Sequence, residues 1–274
     1  MDIYGIIGWP VSHSLSPAMH NTAFSALGIK AVYGLLPVEP ERLEAAIEGL
    51  RALGIRGVSV TVPHKERVMK YLDEVDEIAQ EIGAVNTIIN KEGLLRGTNT
   101  DWLGAQRALE EVTDLCGKEV VVVGAGGSAR AIVYALAKSK AKVTIYNRTL
   151  SKAEALAEEF GAQARPIGEL DQAKGDILVQ TTSVGLGEDR SLVPKEILSR
   201  FEVVMDIVYV PLETKLLRQA KEAGCKVING LKMLVYQGAE QFRLWTGQEP
   251  PVNFMEEAAL KALGFGERDG DTRD

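Results

Sequence analysis

The feature that most constrains the fold of this chain is a glycine-rich run between a strand-like and a helix-like segment. The β-branched segment Glu119 to Val123 is typical of a buried parallel strand, and Arg130 to Ala137 is typical of a helix. The run between them matches the pattern GxGxxG/A and consists of Gly124, Ala125, Gly126, Gly127, Ser128 and Ala129. Its glycines permit a tight turn and let backbone N–H groups approach a pyrophosphate. A glycine-rich turn without a ligand is the alternative, but the order strand, glycines, helix, strand favours a dinucleotide site.

The strand that follows decides which dinucleotide is expected. In NAD-binding folds an acidic residue near the end of this strand accepts hydrogen bonds from the ribose 2′-hydroxyl. Here the predicted strand Lys142 to Tyr146 is followed by Asn147, Arg148 and Thr149, with Lys152 a turn later. A guanidinium suits a 2′-phosphate, so the sequence predicts NADP as the cofactor. The alternative, a solvated helix start capped by a hydroxyl side chain, is compatible with phosphate binding.

Strand-like and helix-like segments alternate along the chain, which indicates an α/β fold. The first half predicts a mixed, mostly parallel sheet with an antiparallel edge, from Ile3 to Gly8, Val32 to Val38, Gly57 to Val62, and a hairpin of Val85 to Ile89 with Leu94 to Asn99. The second half predicts a doubly wound parallel sheet of the Rossmann type, from Glu119 to Val123, Lys142 to Tyr146, Asp176 to Gln180, Val203 to Val208 and Lys226 to Ile228. The closing segments, Lys232 to Trp245 and Val252 to Leu263, are helical. Their docking is left open by these patterns.

Charge and cysteine content narrow the class of protein further. The chain has 31 Lys and Arg against 38 Asp and Glu, a net charge of −7, so we expect neither nucleic acid nor a membrane as a partner. Cys116 and Cys225 lie far apart and form no CxxC pair, which argues against disulfides and zinc. No basic n-region opens the chain and no apolar run is long enough to span a membrane, so a cytoplasmic protein is expected. The charged residues 265–274 predict a flexible tail.

Short motifs spread over nearly the whole chain resemble those of the shikimate dehydrogenase family. They are Ser14 to Pro17, Val60 to Lys65, Gly83 to Thr87, Asn99 to Asp101, Gly124 to Arg130, Asn147 to Thr149, Asp206 to Tyr209 and Gly230 to Gln237. The resemblance implies an N-terminal substrate-binding and catalytic domain, residues 1–101, and a Rossmann domain for NADP, residues 102–231. It also implies that helices in residues 232–264 pack back on the first domain. The expected partners are a small-molecule substrate and, in a homodimer, a second copy of the chain.

The resemblance also assigns roles to individual residues. The implied substrate contacts are Ser14, Ser16, Thr61, Lys65, Asn86, Asp101, Tyr209 and Gln237. Tyr209 would also border the nicotinamide, the backbone of Gly230 would lie beside it, and Ile207 is a further implied cofactor contact. Ser14 and Ser16 would hold the shikimate carboxylate with hydroxyl donors. Considered alone, Ser16 followed by proline is equally typical of a helix N-cap.

By the same resemblance, Lys65 and Asp101 form the catalytic pair. Ketone reduction needs a hydride and a proton at the developing alkoxide, and a positioned lysine can supply that proton. Asp101 would orient Lys65. Without the family, Lys65 is equally well a solvated surface lysine, and Asp101 the N-cap of a helix that begins at Trp102.

The chain departs from the family pattern at a few positions. Ser59 stands where asparagine is usual, so a hydrogen bond near Lys65 could be lost or bridged by water, and Gln180 also replaces an asparagine. The expected activity is NADP-dependent, reversible reduction of 3-dehydroshikimate to shikimate. The alternatives are a quinate or dual-specificity dehydrogenase and, from another class, a non-catalytic NADP sensor. No metal is expected, because the spacing of the histidines matches no metal site.

Overall fold

The computed structural model describes residues 1–265, and its first sheet is built from the N-terminal part of the chain. Its strands are β1 (Asp2–Gly8), β2 (Ala31–Pro37), β3 (Gly57–Val60), β4 (Glu74–Val75), β5 (Thr87–Lys91) and β6 (Leu94–Thr98). They lie in the order β2-β1-β3-β5-β6-β4, and only β5 runs against the others. The mixed, mostly parallel sheet is thus confirmed. The expectation of an antiparallel edge is wrong, because β6 and then β4 pair beyond β5.

The second sheet is entirely parallel and confirms the doubly wound prediction. Its strands are β7 (Glu119–Val123), β8 (Lys142–Asn147), β9 (Gln163–Pro166), β10 (Ile177–Gln180), β11 (Val203–Asp206) and β12 (Lys226–Ile228). The order β12-β11-β10-β7-β8-β9 reverses direction between β7 and β10. Ligands of such sheets bind outside the carboxyl ends of the strands at this reversal.

The helices cover both sheets. They are α1 (Ser16–Ala26), α2 (Leu43–Ala52), α3 (Glu77–Ile82), α4 (Asp101–Glu110), α5 (Gly127–Lys138), α6 (Leu150–Phe160), α7 (Lys215–Glu222), α8 (Gly230–Thr246) and α9 (Val252–Ala262). Short 3-10 helices occupy Pro40–Arg42, Arg67–Tyr71, Ile167–Gln172 and Lys195–Arg200.

The closing helices α8 and α9 return to the first sheet, as expected. Phe242 and Met255 are fully buried in one cluster with Tyr4, Met19 and Phe24 of the N-terminal part. Helix α8 also crosses α4 at Gly104, where a Cβ atom would lie only 2.7 Å from the Met233 carbonyl oxygen. This close approach brings the start of α4 beside the inner face of α8.

Several predicted boundaries differ from the structure. Strand β3 ends at Val60, because the chain turns outward and leaves Val62 65% exposed. The strands β4 and β9 were not predicted. Of the predicted tail, residues 265–274, all but Phe265 lie outside the described residues.

His20 of α1 is fully buried and stacks on the Tyr33 ring, with 4.5 Å between the ring centroids. Burial lowers its pKa from 6.5 to about 3, because the imidazolium form would lose its hydration. The ring is therefore neutral in the folded protein, whereas the unfolded chain takes up a proton below pH 6.5. Stability is then lost as the pH falls from that value, by up to about 1.4 kcal/mol per pH unit.

We expect His20→Leu to flatten the acid limb of the stability profile. Between pH 7 and pH 4 the thermal denaturation midpoint of the parent should fall more steeply than that of the variant, because only the parent takes up a proton at position 20 on unfolding. Burial also raises the pKa of Asp206 to about 6, so this residue contributes stability as the pH falls. Its contribution is the same in parent and variant. Parallel profiles for parent and variant would contradict the neutral buried imidazole.

Candidate active site

A cavity of about 220 Å³ opens between the two sheets, at the carboxyl ends of β3, β6, β10 and β11. All the residues that were predicted to contact substrate line it, namely Ser14, Ser16, Thr61, Lys65, Asn86, Asp101, Tyr209 and Gln237. Of the predicted cofactor residues, Ser128, Ile207 and Gly230 line it too. The others, Gly124, Ala125, Gly126, Gly127, Ala129, Asn147, Arg148, Thr149 and Lys152, lie outside this lining. The structure therefore brings the predicted substrate residues together and places one end of the glycine-rich loop against them.

The charged pair in this cavity is formed by Lys65 and Asp101. Lys65 Nζ donates to Asp101 Oδ2 at 2.5 Å and to Ser128 Oγ at 3.2 Å. The two charged side chains are 11% and 6% exposed, so each depends on the other for compensation of its charge. The proposed N-cap role of Asp101 is wrong, since Thr100 holds the N-cap position and Asp101 begins α4. Its carboxylate instead points at the lysine.

Asn86 holds the other oxygen of the same carboxylate. Its Nδ2 donates to Asp101 Oδ1 at 2.8 Å and to Gln237 Oε1 at 3.2 Å. Its Oδ1 accepts from the Thr100 backbone N–H at 2.8 Å. Asn86 thereby joins the end of β6, the start of α4 and the inner face of α8, and it turns polar side chains of all three toward the cavity.

Ser14 and Ser16 lie at the start of α1, and both line the cavity. Ser14 Oγ accepts from the Ser16 backbone N–H at 3.3 Å. Leu15, and not Ser16, is the N-cap residue, and it makes no side-chain cap bond. The N-cap alternative for Ser16 is therefore wrong, because this residue already lies inside the helix. Both serines border the cavity, and the helix start favours an anion there.

The glycine-rich loop has the geometry that a dinucleotide requires. Gly124 has φ +119°, and a Cβ there would lie 2.3 Å from Thr181 Oγ1. Gly126 is the N-cap of α5, no side chain caps that helix start among residues 1–265, and a Cβ on Gly126 would meet no atom within 4 Å. The first N–H groups of α5 thus face open space and fit a pyrophosphate.

The end of β8 fits a 2′-phosphate. Parallel pairing of Val123 with Tyr146 places the loop after β8 beside the glycine-rich loop. Arg148 and Lys152 are exposed, and within the described part of the chain neither forms an ion pair. Thr149 is the N-cap of α6 but makes no side-chain cap bond, so its hydroxyl and both cations can take a phosphate.

A buried carboxylate fixes the loop that carries Ile207 and Tyr209. Asp206 accepts from the Val208 backbone N–H at 3.0 Å, from the Thr214 hydroxyl at 2.7 Å and from Gln180 Nε2 at 3.3 Å. The family departure at Gln180 is thus accommodated by hydrogen bonds. Burial raises the pKa of Tyr209 to about 12, so its phenol is neutral where it borders the cavity.

Sequence reasoning did not assign a role to two polar residues in the cavity wall, Ser59 and Gln241. The Ser59 hydroxyl bridges Tyr33 and Gln241, at 2.6 Å and 2.8 Å, so its donor and acceptor are both used. Gln241 also bonds to the Thr87 hydroxyl at 2.9 Å. A signal was present, because Gln241 follows Gln237 by four residues and therefore lies on the same helix face.

The carboxyl edge of a doubly wound sheet, an open phosphate loop and a lysine–aspartate pair in one cleft define a two-domain oxidoreductase that uses a dinucleotide. Family models match along most of the chain. Residues 6–88 match the shikimate dehydrogenase substrate binding domain, residues 105–199 match shikimate / quinate 5-dehydrogenase, and residues 230–260 match the shikimate 5′-dehydrogenase C-terminal domain.

Curated and solved relatives agree with these matches. Shikimate dehydrogenase (NADP(+)) of Pyrococcus abyssi is 53% identical over 97% of this chain and 100% of its own length. The enzyme of the same name from Geobacillus kaustophilus is 50% identical over 95% of this chain and 98% of its own. The crystal structure of shikimate 5-dehydrogenase from Thermus thermophilus in complex with NADP(H) and shikimate is 43% identical, with a TM-score of 0.89 over 96% of this chain and 100% of that one. This chain belongs to the shikimate dehydrogenase family.

Residues 1–265 contain neither a metal-binding cluster nor a membrane-spanning helix. Within that range no cluster of three or more His, Cys, Asp or Glu side chains is arranged to hold a metal ion. Nor does any helix in that range combine the length and apolarity needed to cross a membrane.

Proposed function

We propose that this protein catalyses the reversible, NADP-dependent reduction of 3-dehydroshikimate to shikimate, a step of chorismate and aromatic amino acid biosynthesis. The observation that carries the proposal is the ion pair of Lys65 with Asp101. It lies in a cavity that Ser14, Ser16 and Ser128 of the glycine-rich loop also line. The names of the curated relatives, and the ligands of the Thermus thermophilus structure, support the same reaction.

In this mechanism the chain's residues hold the substrate and move one proton. Bound NADPH would supply the hydride to the substrate carbonyl carbon. Lys65 Nζ gives its proton to the carbonyl oxygen as negative charge develops there, and Asp101 holds the ammonium group in place. Asn86 and Gln237 bond to the ring hydroxyls, while Ser14 and Ser16 donate to the carboxylate at the far end.

Absorbance at the band of reduced nicotinamide tests this function directly. Shikimate and quinate are each paired with NADP and with NAD, and shikimate with NADP should give the highest kcat/KM. Quinate is the informative competitor because the matching family model covers quinate dehydrogenases as well. Binding of NADP without turnover of either substrate would instead support the sensor alternative.

We propose the same division into domains that the sequence predicts, residues 1–101 with helices in 232–264, and residues 102–231. It is supported by the two separate sheets, whose strands lie within Asp2–Thr98 and Glu119–Ile228. A cytoplasmic location and a homodimer stay predictions, as does the lack of a nucleic acid partner. Light scattering of the purified protein would test the homodimer.

Ser14→Ala should raise the KM for shikimate roughly 10-fold or more, the loss expected for one hydrogen bond to a carboxylate. The affinity for NADP should stay unchanged, because Ser14 precedes α1 in the N-terminal part of the chain and is not part of the glycine-rich loop or of the loop after β8. Steady-state kinetics and calorimetric titration with NADP measure both quantities. Ser12→Ala is the matched control, since Ser12 is exposed in the same loop and does not line the cavity. An unaltered KM in Ser14→Ala would remove the carboxylate assignment.

A further inference from the structure

A chain of buried hydrogen bonds runs along the wall of the cavity, which Ser59, Asn86 and Gln241 line, and ends at the catalytic carboxylate. Its members are at most 4% exposed and come from separate elements: Tyr33, Ser59, Gln241, Thr87, Asn86 and Asp101. The Tyr33 hydroxyl donates to Ser59 Oγ, and Ser59 Oγ donates to Gln241 Oε1. Gln241 Nε2 donates to Thr87 Oγ1 at 2.9 Å, and Thr87 Oγ1 donates to Asn86 Oδ1 at 2.6 Å. Asn86 Nδ2 then donates to Asp101 Oδ1.

The donor and acceptor in each of these hydrogen bonds can be assigned from one backbone carbonyl group, which can only accept. Gln241 Nε2 lies 3.1 Å from the backbone carbonyl oxygen of Asn86, which can only accept. The amide nitrogen of Gln241 must therefore face β5, and its oxygen must face Ser59. Because the Thr87 hydroxyl accepts from that nitrogen, its own proton is free for Asn86 Oδ1.

The orientation of the Asn86 amide is set by the Thr100 backbone N–H and the Asp101 carboxylate, and the bond from the Thr87 hydroxyl adds to it. Its oxygen receives Thr87 Oγ1 and the Thr100 backbone N–H, which leaves its nitrogen to face Asp101 and Gln237. If the Asn86 amide were rotated by half a turn, its nitrogen would face the Thr87 hydroxyl and the Thr100 N–H, which are donors. Its oxygen would then face the Asp101 carboxylate. Asp101 therefore keeps one oxygen bonded to Asn86 and the other to Lys65.

We infer that Gln241 and Thr87 are positioning residues for the Lys65–Asp101 pair, and that they act through the amide orientation of Asn86. Neither needs to touch substrate for this role. Gln241 also ties α8 to the start of β5, so it sets the place of Gln237 against Asn86. The inference rests on the proposed function for its kinetic consequence, but its geometric part does not.

Thr87→Val tests the inference with an isosteric change that removes one hydroxyl. We expect kcat for shikimate oxidation to fall roughly 10-fold, with the KM for NADP unchanged, because a misplaced acid affects chemistry more than cofactor binding. Thr98→Val is the matched control. Thr98 is the direct partner of Thr87 on β6, it is also buried, and its hydroxyl has no side-chain partner among residues 1–265. This control should keep the parent kcat.

Gln241→Met extends the test because it removes the two bonds that Gln241 donates, to the Asn86 carbonyl and to the Thr87 hydroxyl, while keeping the length of the side chain. We expect a loss in kcat at least as large as in Thr87→Val. In an Asp101→Asn background neither variant should lower kcat further, since all three act as one unit. If the fold-loss in kcat of each double variant equalled the product of the two single losses, the positioning role would be overturned. The substitutions would then act only through a general effect on the fold.

A measurement without turnover separates this inference from the proposed function. The rate at which acetic anhydride acetylates Lys65, read by mass spectrometry of its peptide, should rise about threefold or more in Thr87→Val and Gln241→Met, because the ammonium group is held less firmly. The exposed Lys142 is the internal reference. A parent enzyme inactive on shikimate would overturn the function alone. Parent-like labelling and kcat in both variants would overturn the positioning role.

Discussion

Lys65→Met should lower kcat for shikimate oxidation by roughly 10² to 10⁴-fold, the range typical of losing a general acid–base group. Methionine keeps the unbranched stem but has no proton to exchange with the substrate oxygen. The affinity for NADP, measured by calorimetric titration, should change far less than kcat, because Arg148 makes no contact with this amine and the glycine-rich loop loses only the bond of Ser128 to it. Stopped-flow and steady-state absorbance give kcat over this range.

Asp101→Asn should give a loss comparable to that of Lys65→Met, and the double variant should lose no more than the worse single variant. The reason is that Asp101 acts on the reaction through Lys65, whose ammonium group it holds at 2.5 Å. Lys70→Met is the control, since Lys70 is an exposed lysine on the same segment. Turnover of Lys65→Met at the parent rate would mean that a different group or a water carries the proton.

Arg148→Ala should weaken NADP binding by about 10- to 150-fold and leave NAD binding nearly unchanged. One charge-assisted hydrogen bond contributes roughly 1.5 to 3 kcal/mol, which corresponds to that range. Only NADP carries the 2′-phosphate, so the ratio of the two dissociation constants isolates the contact. Titration of each dinucleotide into parent and variant measures this ratio.

The control for this prediction is Lys142→Ala, which removes a cation from the opposite end of the same strand, β8. It should alter neither dissociation constant, which would exclude a general effect of net charge. An equal loss of NADP and NAD affinity in Arg148→Ala would show that the guanidinium supports the loop and does not read the phosphate.

Much of the second sheet could be predicted from sequence because its information is local. Strand β7, the glycine run and α5 follow one another directly in the chain. The continuous apolar sequence of β7 is typical of a strand that is buried on both faces of a sheet. Strand β9 was missed because it is a sheet edge, where Gln163 and Arg165 face solvent and Pro166 ends the pairing. Strand β4 is too short, at two residues, to carry a periodic pattern.

The site was less predictable, because its geometry comes from long-range packing. Lys65 and Asp101 lie 36 positions apart in the chain, and Asn86 lies 151 positions from Gln237. Only the family resemblance predicted that the members of each pair lie close together. Local rules gave the wrong N-cap at Ser16 and at Asp101, because each helix begins one residue earlier than its sequence pattern predicts. The buried bonds of Ser59 and Gln241 depend on the docking of α8, which no local pattern specifies.

The return of α8 and α9 to the first sheet has a consequence for the order of folding. One core of the N-terminal half contains Leu231, Val235, Phe242 and Met255, so it cannot close until the last helices have left the ribosome. One face of the second sheet, by contrast, is packed by side chains that lie between Val121 and Val227. Domains usually fold in the order in which they are synthesised. Here the second sheet can fold before the core that contains Tyr4 and Phe24. These two side chains stay exposed to solvent until α8 and α9 pack against them.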